Sequence, residues 1–194
     1  METSILIIGM SGKLPERWAA ILDLAVSEIP LVTQQLDCAT GDWLKKARAR
    51  PLPHPSRLVK GKWPLRVSTG SPRGDRALSA LLYRRIADIL STLPRTMTAV
   101  HLSKCHIHQT PDHLLDLCAK LLGRRPSALV VLVTSQGVQW HQLTPAGPDP
   151  QQLTPDSIPC TESEIESLLT LARLAAYECH RRRSSLPGMT FFRI

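Results

Sequence analysis

Apolar residues along this 194-residue chain fall into two kinds of run, short unbroken ones and longer ones spaced at three and four. Unbroken β-branched and aliphatic runs suit strands covered on both faces, and the wider spacing suits helices that bury one face. The first run, ILIIGMSGK (Ile5 to Lys13), empties into a Gly/Ser turn. Trp18, Ile21, Leu22, Ala25 and Ile29 then recur at helical spacing, with Pro15 suited to the first turn and Pro30 to the end, which predicts a helix. Leu31 to Leu36 reads as a short strand and Cys38 to Arg50 as a basic helix. An extended or irregular link with Pro51, Pro53, Pro55 and Pro64 follows.

A second outline of strand, turn and helix stands at PLRVSTGSPRG (Pro64 to Gly74). It opens an amphipathic helix with Leu78, Leu81, Leu82, Ile86, Ile89 and Leu93, closed by Pro94, before a strand at Thr96 to Leu102. The next helix is fully punctuated: Thr110 as N-cap, Pro111 at the first position, Asp112 in the first turn, Leu114, Cys118 and Leu121 inward, then Gly123 and Pro126. SALVVLVT (Ser127 to Thr134) predicts a central strand, Ser135-Gln136-Gly137 a turn, and Val138 to Leu143 an antiparallel return. Five prolines between Pro145 and Pro159 mark a surface loop. Thr161 and Glu164 then form a capping box ahead of a last helix with Ile165, Leu168, Leu169, Ala172, Ala175, Ala176 and Cys179 inward. Arg181 to Arg183 complement the dipole at its end, and Met189 to Ile194 reads as an edge strand.

Alternating strands and helices predict an α/β fold: a single layered domain over 1–194, with a mixed, mainly parallel sheet flanked by helices. A basic Pro-rich connection at about 41–64 and a Pro-rich surface loop at about 144–160 interrupt it. At 43% hydrophobic the chain can bury a sizeable core. No apolar stretch reaches the roughly 18 residues of a membrane span, and Ile5 to Ile8 is too short and wrongly flanked for a signal peptide. Five irregularly spaced cysteines at 38, 105, 118, 160 and 179 argue for reduced, mostly buried thiols and a cytoplasmic setting.

Charge changes the picture most. The chain has 24 basic and 16 acidic residues, a net +8, and the excess is concentrated. Between Gly41 and Arg66 stand Lys45, Lys46, Arg48, Arg50, Arg57, Lys60, Lys62 and Arg66, opposed only by Asp42. Trp43 and Trp63 share this stretch, so charge for neutralising phosphates comes with aromatic faces on which bases can stack. A solvated basic loop, or a site for an acidic protein partner, produces the same composition.

Both Gly/Ser turns can present backbone N–H groups to an anion, and in α/β sheets such turns lie where ligands bind. At Gly9-Met10-Ser11-Gly12-Lys13 the loop is too short for a P-loop and Leu14 stands where magnesium needs a hydroxyl. Ser11 lacks the glycine spacing of a nucleophile elbow. Cys105, His106, His108, His113 and Cys118 are the densest set of metal-ligand types. His113 and Cys118, five apart on one helix, diverge by about 140°, so no metal site is assigned. No carboxylate pair has acid/base spacing. Asp112 and Asp116 read as helix surface and Glu162, Glu164 and Glu166 as N-terminal charge on the last helix, while Asp37 and Asp42, near the ends of predicted elements, fit a site and a turn equally.

At the second turn, Thr69, Gly70, Ser71 and Arg73 can cradle a phosphate. Over the stretch ending at Cys105 this part resembles the flavodoxin-like NADPH-dependent flavin reductases, whose first strand ends in a GSPR-type loop around the flavin phosphate. The resemblance implies FMN as cofactor, held at Thr69, Gly70, Ser71 and Arg73. The chain departs from that family at Gly74, Asp75 and Arg76, where Asp75 repels a phosphate, and at Thr134-Ser135-Gln136-Gly137, which lacks the family's Pro/Tyr-containing flavin loop.

The leading expectation is a basic intracellular accessory protein, without catalysis or cofactor, that binds nucleic acid or an acidic protein partner. The site residues are Trp43, Lys45, Lys46, Arg48, Arg50, Arg57, Lys60, Lys62, Trp63 and Arg66. Alternatives are a flavin reductase using the TGSPR loop and an assembly subunit of a larger protein complex.

Overall fold

A computed structural model of the chain describes residues 4–13, 16–48, 84, 88, 97–102, 110–123, 128–134, 137–144, 147–148, 159–186 and 188–193. Where one domain was expected, the chain divides into two compact units: Met1–Pro30 with Pro94–Ile194, and Leu31–Leu93.

The first unit is built on β1 (Ser4–Lys13) and β2 (Glu16–Ala25), which pair antiparallel from Ser4↔Ala25 to Lys13↔Glu16. This overturns two expectations. The apolar positions from Trp18 to Ala25 form a strand, and the first Gly/Ser turn is the end of a hairpin that opens no helix. The reason lies in burial: Trp18 to Leu22 are five consecutive buried residues, and a one-faced helix has no place for such a run. Alanines 19 and 20 and Leu24 complete the continuous apolar pattern of a strand covered on both sides.

Strands β3 (Thr98–Leu102), β4 (Ala128–Thr134), β5 (Gly137–Thr144), β6 (Gly147–Pro148) and β7 (Thr190–Arg193) complete one sheet, ordered β6-β5-β4-β1-β2-β3-β7. Among the described residues only β1 with β4 and β3 with β7 pair parallel. The other four pairings are antiparallel, so the sheet is mixed but not mainly parallel. Short connections cause three of these, since two residues each join β1 to β2, β4 to β5 and β5 to β6, and a parallel crossover needs many more; β2 and β3 pair antiparallel across a long connection. The expected strands at Thr96 to Leu102 and Ser127 to Thr134, the return after Gly137 and the C-terminal edge strand all form.

A 3-10 turn, Val26–Glu28, leads into α1 (Ile29–Arg48), and the Glu28 carboxylate accepts the Ala25 N–H at 2.6 Å. Pro30 therefore begins a helix, as its fixed φ allows at a first turn, and Leu31 to Leu36 is helical where a strand was expected. Over its first half, where burial is described, Ile29, Val32, Thr33 and Leu36 are buried, at the spacing of one helix face. The basic helix expected from Cys38 is the second half of α1. Of the helix expected around Leu78 to Leu93, Arg84 and Asp88 are described, and both are helical and exposed.

Helix α2 (Thr110–Leu122) buries Leu114, Leu115, Leu117, Cys118 and Leu122, and Gly123 follows it at φ 59°, the left-handed conformation that suits glycine. Its buried residues join Leu6, Ile8, Ala19, Ile21, Val100, Leu102, Val130 and Leu143 in one core on that face of the sheet. Helix α3 (Glu162–Arg182) starts with the expected capping box: Glu164 N–H donates to Thr161 Oγ1 at 3.3 Å, and Thr161 N–H donates to Glu164 Oε2 at 2.8 Å. All seven residues expected inward on it are buried.

Helix α3 lies against β1 and β2 on the other face, and Gly9 sets how closely. A Cβ on Gly9 would sit within 3.0 Å of the Ala172 carbonyl carbon and the Arg173 amide nitrogen, both helix backbone. Cross-strand partners Ala20 and, beyond it, Ala99 extend a row of small side chains from Gly9. Gly9→Val is expected to destabilise the fold by about 3 kcal/mol through overpacking, read as a lower urea midpoint at unchanged slope. An unchanged midpoint would show that the helix does not rest on this strand.

Candidate polyanion-binding surface

Register brings together residues that are far apart in sequence. Trp18 on β2 pairs with His101 on β3, and His101 pairs with Arg193 on β7, so the three form one row across the sheet. In the next row on the same face stand Ala20, Ala99 and Phe191. The two alanines are small enough for the rings to meet over them. Trp18 and His101 lie with centroids 4.8 Å apart, tilted by 32°, and Trp18 and Phe191 stack at 5.7 Å and 30°. Trp18 is buried, His101 is half-buried, and Phe191 keeps 47% of its surface exposed although it is large and apolar.

Charge surrounds this ledge. Arg193 is exposed at the end of β7. Burial, and then the positive charge of Arg193, hold the His101 imidazole below its ordinary value of 6.5, while Glu16 opposes the shift. Arg183 ends α3 in the left-handed conformation at φ 55° and reaches Glu16 at 3.6 Å, with its side chain 77% exposed. Such an open ion pair stabilises by no more than about 1 kcal/mol, so Arg183 is easily shared with another anion. Arg181 and Arg182 behave differently: both stand in the last turn of α3, as expected, and both bind the nearly buried Glu178, at 2.7 Å and 3.5 Å.

An exposed aromatic ring beside guanidinium groups can stack a planar ring and neutralise phosphate or carboxylate. Sequence reading missed this arrangement, because its members lie on three strands and nothing in the local sequence links them.

The residues singled out from sequence fall in the second unit, 31–93. Trp43, Lys45, Lys46 and Arg48 lie along the second half of α1. Arg50, Arg57, Lys60, Lys62, Trp63 and Arg66 lie outside the described residues, as do Thr69, Gly70, Ser71 and Arg73 of the TGSPR loop. Cys105, His106 and His108 are outside them too. Among the described residues no group of three or more His, Cys, Asp or Glu is placed to hold a metal, and no helix is long and apolar enough to cross a membrane. Burial pushes the thiols up, Cys118 to about 12 and Cys160 and Cys179 to about 11, which leaves them poor nucleophiles at neutral pH. Half-buried His141 on β5 is held below its ordinary value by burial, against the opposing charge of Asp112.

Comparison with protein-family models, with curated proteins and with solved structures finds no match to this chain.

Two outcomes follow from these electrostatics. Arg193→Ala is expected to raise the His101 pKa in an NMR titration, and an unmoved or lowered value would separate the two groups. Cys118 keeps its proton in the folded state up to about 12 while the unfolded thiol loses it near 9.0, so its contribution to stability is whole below 9.0 and is lost as pH rises between the two. Cys118→Ala should therefore flatten the fall of unfolding free energy over that range, measured by urea titration at several pH values. An equal slope in both proteins would contradict a buried thiol.

Proposed function

We propose that this chain is a basic accessory protein of the cytoplasm that binds nucleic acid, and that it acts by binding rather than by catalysis. The observation that carries the reading is the exposed Phe191 ring beside Arg193, in a chain of net charge +8. The segment 41–66 supports it with eight further cations and two tryptophans, and α1 strings four of these ten residues along one helix. Free thiols at Cys38, Cys118, Cys160 and Cys179 agree with a reducing compartment. An acidic protein surface is the competing partner, since it answers to the same charge. Stacking decides between them, because aromatic faces add to the binding of bases and little to the binding of carboxylates.

Binding of a labelled oligonucleotide is expected to weaken steeply with salt, because each neutralised phosphate releases counterions. Replacing Lys45, Lys46, Lys60 and Lys62 together by Glu should flatten the slope of log affinity against log salt by about 3, at roughly 0.7 to 0.9 for each phosphate no longer neutralised. Binding that is absent, or indifferent to salt, would contradict the proposal.

A further inference from the structure

We infer that the row Trp18, His101 and Arg193, with Phe191 behind it, is a stacking site for one base of a single-stranded nucleic acid, its flanking phosphates met by Arg193 and Arg183. This inference rests on the nucleic-acid reading above and gives the first unit a contact of its own.

Three features favour this occupant. First, Phe191 is half-open and already backed by Trp18 at 5.7 Å, so its outer face is held for a planar ring without further ordering. An acidic peptide needs only the arginines and leaves that face unused. Second, charge complements a phosphodiester: Arg193 follows two residues after Phe191, and Arg183 is largely exposed and meets Glu16 at a loose 3.6 Å. Third, the ledge is at the sheet's edge, where β7 is the outermost strand. A single strand can turn one base onto such an edge, whereas a duplex keeps its bases stacked inside.

The test uses the full chain and four probes of matched length and charge: oligothymidylate, the same strand without bases, a duplex, and polyglutamate. Oligothymidylate is expected to bind about tenfold more tightly than the abasic strand. Phe191→Ala should lower that preference severalfold, and Phe191→Trp should restore it. Arg193→Gln, which leaves the ring in place, should weaken oligothymidylate and abasic strand alike. A 4-thiothymidine probe should crosslink within 190–193. If Phe191→Ala retains the preference in full, or the crosslink falls elsewhere, the ledge is not the site although the nucleic-acid reading stands. If the abasic strand or polyglutamate binds the native chain as tightly as oligothymidylate, charge alone is being read and base stacking is refuted. If none of the four binds, both this inference and the reading beneath it fall.

Discussion

The close approach of α3 to β1 at Gly9 is the constraint on which the rest of the first unit depends. Helix backbone occupies the space that any side chain at this position would need. The helix therefore covers β1 and β2 on one face, while on the other their apolar residues join the core that holds the α2 leucines, and both strands must be apolar on both sides. Ile5 to Ile8 and Trp18 to Leu22 meet that demand without a break. The same approach fixes where α3 ends. A Cβ on Gly12, at φ 90°, would run into the His180 ring, so the last turn of the helix lies beside the end of the hairpin. Beyond Arg183, Leu186 is buried, Cys179 Sγ meets Met189 Sδ at 3.9 Å, and Thr190 N–H donates to Met97 O as β7 joins the sheet.

That order explains how the candidate surface is assembled. β7 can pair with β3 only because α3 delivers the chain to that edge, and the pairing aligns Arg193 with His101 and Trp18. The alanines that continue the small row from Gly9 also leave space for Trp18 to lie against Phe191. Packing and surface chemistry thus share one set of residues. The positive charge at the end of α3 is likewise divided, with Arg181 and Arg182 turned to Glu178 and Arg183 left largely open.

The parts of this fold legible in the sequence are those whose signals are local. Thr161 and Glu164 specify a helix start by mutual hydrogen bonds, Gly123 ends α2 at positive φ, and the run ALVVLVT followed by a glycine turn specifies β4 and its antiparallel neighbour. Trp18 to Ala25 misled because Trp18, Ile21, Leu22 and Ala25 match a helical stripe. The buried Ala19, Ala20 and Leu24 between them carry the true signal, and alanine counts weakly in any hydrophobic period. Pro30 was legible as a boundary but its direction was not, because proline both ends helices and begins them. The aromatic ledge was out of reach, since cross-strand register is set by tertiary pairing and not by neighbours in the chain. The basic segment was legible as composition, and composition does not fix where side chains gather.

Native-state hydrogen exchange of the backbone amides tests most directly whether α3 and the β1–β2 pair form one cooperative unit. The account predicts that amides in the middle of α3 around Ala172 exchange with the same opening free energy as those of Ile5 to Ile8 and Ala19 to Leu22, close to that of global unfolding. Exchange of α3 through a much cheaper opening, with β1 and β2 still protected, would contradict it.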